Sequence, residues 1–493
     1  MRAVINSQMV FGQVDISSIS FNPKSRDDIP HLLRGLQHLY CEPQLRERVF
    51  AILTELLPIT SGAGGKADPN NGRPGMAQWS ILVLGVMRLG LNADYDRIQE
   101  LANEHITLRL MMGLGGWTDR TNFELQTLKD NLRLFTPEIL DRINQEVVNA
   151  GHKALKKSPD QGLNARCDSF VVETNVHYPT DVNLLFDAIR KSLEICAQLS
   201  DQYGLSTWRQ SAYLIRQFKQ GYRRIQKLKH STSRNEQKCE AQRAAIEQAH
   251  KDYLEQAEGY LVRVRRTREE LLMKPETGLL GALDGYISHA ERQIDQIRRR
   301  VLQGETIPHD EKVFSLFQPH TEWISKGKAG VSQELGLRVC VVEDQHRFIL
   351  HHQVMQQTTD DAVAVPITKE AMERFSAISA ISFDKGFHSQ TNQIELKDLI
   401  NRVVLPKKGR LTNVEKLRES DPEFMRLRQQ HSAVESAINA LESHGLDRCP
   451  DHGIDGFKRY VALAVLARNV QRLGAVLREE EKKRWRGSYR KAA

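Results

Sequence analysis

Three acidic residues, Asp168, Asp384 and Glu435, occupy positions from which carboxylates can do chemistry. Asp168 lies in a β-rich run, residues 164–178, and Asp384 ends a second predicted strand, AISAISFD. Glu435 lies on a predicted helix that follows a third strand. Although they are far apart in sequence, a mixed α/β sheet can bring three such acids together. Taken singly, a strand-end Asp is more often a turn or cap residue, and a helical Glu more often lies on a solvated face.

A cluster of carboxylates in a partly buried site stays ionised only when cations neutralise it. Mg²⁺ prefers oxygen ligands and keeps open positions for phosphate and water. Two such ions, about 3.5–4 Å apart, can activate an attacking oxygen and stabilise a leaving one. His431 and Glu435 are four residues apart on a helix and would also suit zinc, but no matching ligand cluster occurs elsewhere.

The elements that must position these acids begin at residue 164. The pattern predicts first a strand, then a helical segment over 183–303, and then β runs within 312–357 (KVFSLF, LGLRVCVVED, RFILHHQVM). After these it predicts a helix over Lys369 to Ala377, the AISAISFD strand and another helix. The strand NRVVLP and a final helical stretch follow. The first 150 residues predict several short helices, which suit either a helix-turn-helix-like DNA-binding module or an all-helical packing domain.

Basic residues are concentrated in the segment 207–240, where nine Lys and Arg face two acids and four aromatic residues interleave with them. A solvated helix face explains most charge runs, but a basic helix with aromatic residues also suits a nucleic-acid backbone. A second basic segment, the turn KKGR, follows the strand NRVVLP. We predict DNA contacts at Arg223, Arg224, Lys227, Lys407, Lys408, Arg410, Arg428 and His431.

The composition is that of a globular protein of about three domains. Its 493 residues carry 70 Lys and Arg against 62 Asp and Glu, for a formal charge of +8. No apolar run approaches the roughly 20 residues of a membrane helix, and the N-terminus has no secretory pattern. The six cysteines are far apart in sequence, so we expect reduced thiols inside the cell.

Five blocks, in order, resemble the DDE-type transposases of bacterial insertion sequences. They are CDSFVVETNVHYPTDVNLLFDAIR (167–190), HTEWISKGK (320–328), SFDKGFHSQTN (382–392), LPKKGRL (405–411) and HSAVESAINALESHGLDRC (431–449). The resemblance covers residues 30–475 and is nearest to the ungrouped elements labelled ISNCY. It departs from one family signature, because His431 and Glu442 stand where some relatives have Arg and Lys, and the long insertion follows the first strand.

The resemblance implies an α/β fold: an RNase H-like mixed-sheet catalytic domain with a large helical insertion and an N-terminal helical DNA-binding domain. Asp168, Asp384 and Glu435 would be the catalytic residues and the ligands of two Mg²⁺ (or Mn²⁺) ions. The implied domains are the DNA-binding helices 1–150, the catalytic residues 164–182 and 306–475, the basic insertion 183–305 and a basic tail 476–493.

On this interpretation the chain is a DNA transposase that cleaves a phosphodiester at the terminal inverted repeats of its element. The freed 3′-hydroxyl then attacks target DNA. Its partners would be double-stranded DNA and a second copy of the chain, in the bacterial cytoplasm at the nucleoid and away from membranes. The alternatives are a nuclease of the same fold without strand transfer, a non-catalytic repressor descended from a transposase, and a helical scaffold.

Overall fold

The computed structural model describes residues 3–5, 8–22, 24–56, 75–156, 162–230, 235–271, 278–325 and 333–492, with side chains as far as 484. The chain divides into two compact units. The first, here the sheet unit, comprises Met1–Asn175 and Ile324–Ala493. The second, the helical unit, comprises Val176–Trp323.

The α-helices of the described residues are α1 (Asp28–Cys41), α2 (Pro43–Leu53), α3 (Gln78–Gly90), α4 (Tyr95–Glu104), α5 (Ile106–Met111), α6 (Leu125–Leu132), α7 (Pro137–Ala154), α8 (Asp181–Tyr203), α9 (Ser211–His230), α10 (Glu236–Glu270), α11 (Gly278–Ile297), α12 (Asp360–Arg374), α13 (Gln390–Leu399), α14 (Asn413–Glu419), α15 (Pro422–His431), α16 (Ala433–Leu441) and α17 (Gly453–Ala492). The strands are β1 (Leu163–Thr174), β2 (Glu322–Ser325), β3 (Gln333–Glu343), β4 (Ile349–Met355), β5 (Ile378–Phe383), β6 (Arg402–Val404) and β7 (Arg448–Cys449). In the residues described, no helix is both long and apolar enough to cross a membrane.

The strands form one mixed, open sheet in the order β2-β3-β1-β5-β6, with β4 also paired to β3 and β7 to β1. β1 is antiparallel to β3, and β3 is antiparallel to β4. On its other side β1 is parallel to β5, which is parallel to β6. The central strands are rich in apolar residues on both faces, as expected for strands that helices cover on both sides.

A large hydrophobic core joins the N-terminal helices to the sheet, and Ala380, Val404, Phe424 and Leu427 form a small separate cluster. The long helix α17 packs against α1, α3 and α7, and α7 and α17 both contact β4. Buried residues of the N-terminal helices and of the sheet belong to the same cluster. The helices of residues 1–150, which we predicted to be a separate DNA-binding domain, therefore lie in the same compact unit as the sheet.

The helical unit has a core of its own, made by α8 to α11. Phe218 of α9 is fully buried and stacks on Tyr253 of α10 with 4.2 Å between ring centroids. Trp208 is also buried, and its indole N–H donates to Thr267 Oγ1 at 2.8 Å. Two of the four aromatic residues that we associated with DNA thus pack the interior, whereas Tyr213 is half exposed.

Three predicted elements differ in the structure. Residues 312–317 are not a strand, because Leu316 instead packs into the core of the helical unit. α12 begins at Asp360, not at Lys369, and holds Pro366 in its interior on an exposed face. The predicted basic tail, from residue 476, is not a separate segment, because it continues α17 in helical conformation to residue 492. All six cysteines lie in described segments and are free thiols, as predicted.

Candidate functional site

The pairing of β1 with β5 places two of the predicted acids side by side. The strands are parallel, with Cys167 opposite Phe383. Asp168 follows Cys167 on β1, and Asp384 follows Phe383 directly after β5. The two acids therefore occupy neighbouring positions across the strand pair. On its other side β1 is held by β3, with Asp168 opposite Val341. The backbone of the central sheet therefore fixes the Cα positions of both acids.

Glu435 comes to the same region on α16, which packs against β1. Val434 and Ile438 bury the inner face of this helix. Glu435 lies in its first turn and is exposed, as is Asp384. Asp168 is partly buried between the strands.

Asp168 is affected both by burial and by the charges of the neighbouring acids. Its pKa is raised to about 6, first because burial penalises the charged form, and further because Asp384, Asp360 and Glu435 repel its negative charge. A hydrogen bond from the backbone N–H of Ser169, at 2.8 Å, lowers the pKa and partly offsets these effects. Asp384 and Glu435 thus lie near enough to Asp168 for their charges to act on its carboxyl.

A fourth carboxylate, Asp360, belongs to the group and was missed by the sequence prediction. It is the first residue of α12 and accepts a hydrogen bond from Ser169 Oγ at 2.7 Å. Gly386, in the turn after Asp384, lies close to it: a Cβ at that position would be 3.2 Å from Asp360 Oδ2. The signal was available in the segment TTDD, residues 358–361, which reads as a helix start directly after a strand.

His431, which we predicted to contact DNA, lies at the end of α15 beside the acids. Its Nδ1 is 3.0 Å from Ser382 Oγ. Burial lowers the pKa of its imidazole, and the charges of Asp384 and Glu435 act in the opposite direction. Its buried Nε2 has no hydrogen-bond partner among the described residues. The site therefore includes a neutral imidazole with one free nitrogen among carboxylates.

The donor chemistry of this group fits a hard divalent cation. Four carboxylates could supply oxygen ligands, and a bound cation would offset the repulsion that Asp384, Asp360 and Glu435 exert on Asp168. In the segments described, no three His, Cys, Asp or Glu side chains are already drawn together at metal-site spacing. Asp384 and Glu435 are exposed, so their side chains have room to turn toward an ion.

The basic turn after β6 offers two solvent-exposed cations. Lys408 and Arg410 are exposed, and no ion pair is described for either. Lys407 instead pairs with Glu415 of α14 at 2.7 Å. Arg428 of α15 is 3.3 Å from Glu419. Of the predicted DNA contacts in this region, Lys408 and Arg410 are therefore the most available to a phosphate.

The remaining predicted contacts lie on α9 of the helical unit. Arg223 and Lys227 are exposed to solvent. Arg224 is also exposed but forms an ion pair with Asp252 of α10 at 3.1 Å. The hydrophobic face of α9, by contrast, is turned into the core through Phe218 and Ile225. The charged face of α9 is thus solvated, which is compatible with either of the explanations given for the charge run.

Comparison with known proteins identifies no relative. No protein-family model, curated protein or solved structure matches this chain.

Proposed function

We propose that this protein is a DDE-type DNA transposase that carries out metal-dependent phosphodiester cleavage and strand transfer at the ends of its own element. The observation that carries the proposal is the grouping of Asp168, Asp384 and Glu435 around one position of the sheet. These are the acids that the five-block resemblance assigns to catalysis, and they come from three separate segments of the chain. A scaffold or a pure DNA-binding protein has no need of such a group.

The sheet supports the same proposal. Antiparallel pairs join β4 to β3 and β3 to β1, and parallel pairs join β1 to β5 and β5 to β6. The resemblance implies an RNase H-like sheet, and these pairings support that interpretation. On it, the first acid lies on β1 and the second directly after β5, the parallel neighbour of β1.

In the proposed reaction Asp168, Asp384 and Glu435 hold the cations, and the strand backbone keeps Asp168 in place. Bound Mg²⁺ or Mn²⁺ would supply activation of the attacking oxygen and neutralise charge on the leaving oxygen. Asp168 must be ionised to serve as a ligand, and its raised pKa of about 6 leaves it ionised at neutral pH. The chain needs no Ser or Tyr nucleophile, because water and then the DNA 3′-hydroxyl are the attacking groups.

The proposal is tested by cleavage of labelled duplexes taken from the DNA that flanks the coding sequence. Wild-type protein with Mg²⁺ or Mn²⁺ is expected to nick at one defined position and to join the new 3′ end to a target plasmid. Asp384→Asn keeps the size of the side chain and removes its charge. It should lower the rate by at least about a hundredfold while DNA binding persists.

Asp398→Asn is the matched control, since Asp398 is an exposed acid on α13, and it should cleave as the wild type does. Metal-dependent nicking without joining would favour a nuclease of the same fold. Binding without nicking by wild type would favour the repressor. Equal cleavage by Asp384→Asn and wild type would contradict the assignment of the acids.

A further inference from the structure

A second concave site lies in the sheet unit, away from the carboxylate group. It is a cleft of about 920 Å³ between α4, α6, the segment after β7 and the first turns of α17. We call it the basic cleft, because six cationic side chains line it: Arg88, Arg97, Lys129, Arg133, Arg448 and Arg459. Asn175, directly after β1, lies on its wall.

The acids of the basic cleft leave its positive charge in excess. Three carboxylates line it. Asp451 is shared by two cations, 3.3 Å from Arg459 and 3.6 Å from Arg88. Asp94 caps α4 by accepting a hydrogen bond from the backbone N–H of Arg97. Asp455 is exposed in the first turn of α17.

Arg88 is the unusual member of the set. Its side chain is only 5% exposed, yet the sole acid described beside it is the shared Asp451. Its Nε has no hydrogen-bond partner in the described residues. A buried guanidinium with half a counter-charge is costly unless an anion completes its surroundings. Arg88 therefore points to an anionic ligand in this cleft.

Three further cations are available to such a ligand. Arg97 and Arg133 are exposed and Lys129 is half-buried, and no ion pair is described for any of them. They come from α4 and from α6 with the residue that follows it, so they face the cleft from separate elements. Several cations spaced along an open cleft suit a chain of phosphates better than a single small anion.

The aromatic rings of the cleft already make contacts with cationic side chains of the cleft. Arg88 lies over the ring of Tyr95 at 4.1 Å and Lys129 at 5.5 Å. Tyr460 is likewise near Arg88 and donates its hydroxyl hydrogen to the carbonyl of Gly445. Because neither ring is open for base stacking, the cleft is built to read phosphates and not bases.

We propose that the basic cleft binds the backbone phosphates of double-stranded DNA, independently of sequence and of metal. β1 links this cleft to the candidate site, since Asn175 lies seven residues after Asp168. At a rise of about 3.3 Å per residue, that places the wall of the cleft about 23 Å from Asp168. A duplex lying across both would span about seven base pairs at 3.4 Å each. The choice of DNA over another phosphate polymer rests on the proposed function.

The test is fluorescence anisotropy with the full chain, an arbitrary duplex of about 30 base pairs and EDTA, over a KCl series. EDTA makes binding independent of catalysis, so a failed cleavage assay does not decide this test. The variant Arg97→Gln/Lys129→Gln/Arg133→Gln should raise the Kd at least about tenfold and reduce the salt slope by about 2–3. The control Arg120→Gln/Lys369→Gln/Lys397→Gln removes three exposed cations elsewhere on the sheet unit and should bind as wild type does.

Equal weakening by both triple variants, or by neither, overturns the proposal. A competition arm with ATP and with inorganic pyrophosphate separates the sources of phosphate. If either displaces the duplex at micromolar concentration, the cleft binds a small phosphorylated molecule and the proposal is wrong. If the triple variant melts earlier than wild type, Arg97→Glu/Arg133→Glu replaces it, because both residues are exposed, and this double reversal should weaken DNA binding further than the triple neutralisation does.

Discussion

Asp360 lies where a fourth negative charge would strengthen cation binding. It repels the charge of Asp168 and is held by Ser169 Oγ at 2.7 Å. Asp360→Asn keeps an oxygen to accept that hydrogen bond and removes the charge. Losing about 1 kcal/mol of attraction should raise the Mg²⁺ concentration for half-maximal cleavage about fivefold. A Mg²⁺ titration of the cleavage rate measures this.

The neighbouring Asp361 provides the control for that titration. Its side chain is exposed, and Asp361→Asn removes the same charge from the same turn of α12. It should leave the Mg²⁺ dependence within about twofold of wild type, because solvent screens its charge. An unchanged Mg²⁺ requirement in Asp360→Asn would mean that Asp360 only positions Ser169.

The sequence identified the acids that a strand pattern makes conspicuous. Asp168 and Asp384 stand inside or at the end of apolar β runs, where an acid is unusual, and Glu435 was singled out on the helix that follows the last strand. Asp360 was missed because an acid at a helix start has an ordinary explanation as a cap. The pairing of Lys407 with Glu415 was also beyond prediction, since it depends on where α14 returns to the turn. Whether a cation is free to bind DNA depends on which acids lie near it in the folded chain. The sequence around a single residue does not show these neighbours.

At the scale of elements, α17 depends on two glycines where it crosses α1. A Cβ on Gly474 would lie 1.9 Å from the carbonyl oxygen of His31, and one on Gly35 would lie 2.3 Å from that of Val470. Both obstacles are helix backbone, which cannot move aside locally. Gly474→Ala should therefore separate the two helices and cost about 1–3 kcal/mol of unfolding free energy. Urea unfolding followed by circular dichroism measures the loss.

Gly456, three residues into the same helix, is the matched control. A Cβ there would meet its nearest atom at 3.4 Å, an ordinary contact. Gly456→Ala should be neutral or slightly stabilising, because alanine favours helix more than glycine does. Equal destabilisation by the two substitutions would show that the crossing of α1 and α17 is not the cause.

Periodicity predicted most elements but not their limits. The strands that became β1, β3, β4, β5 and β6 were visible as apolar runs between turn residues. Residues 312–317 have the same pattern, yet they form irregular chain, with Leu316 packed into the core of the helical unit. Pro366 made the early turns of α12 look unlike helix, although its exposed position inside the helix is tolerated. In each case the local pattern was ambiguous and tertiary packing decided the outcome.

At the scale of the whole molecule, the sequence suggested that the N-terminal helices form a separate domain. Their amphipathic pattern shows that one face of each helix is buried but not against what. In the structure that face packs on α17 and the sheet, so Leu36 belongs to the same core as the strands. The insertion was easier to recognise, because its long charged helices contrast with the strands on either side of it.

Two separate cores predict two unfolding steps. Phe218 is fully buried in the helical unit and Leu36 is fully buried in the sheet unit. Phe218→Ala should destabilise by about 3–5 kcal/mol and Leu36→Ala by about 2–5 kcal/mol. Since each side chain lies in only one core, each substitution should lower one transition of a calorimetric scan and leave the other in place. The transition that Leu36→Ala lowers should be the one that reports the sheet, because the N-terminal helices and the strands share one core. A single transition that both substitutions shift equally would mean that the units unfold together. A sheet transition insensitive to Leu36→Ala would restore the N-terminal helices as an independent domain.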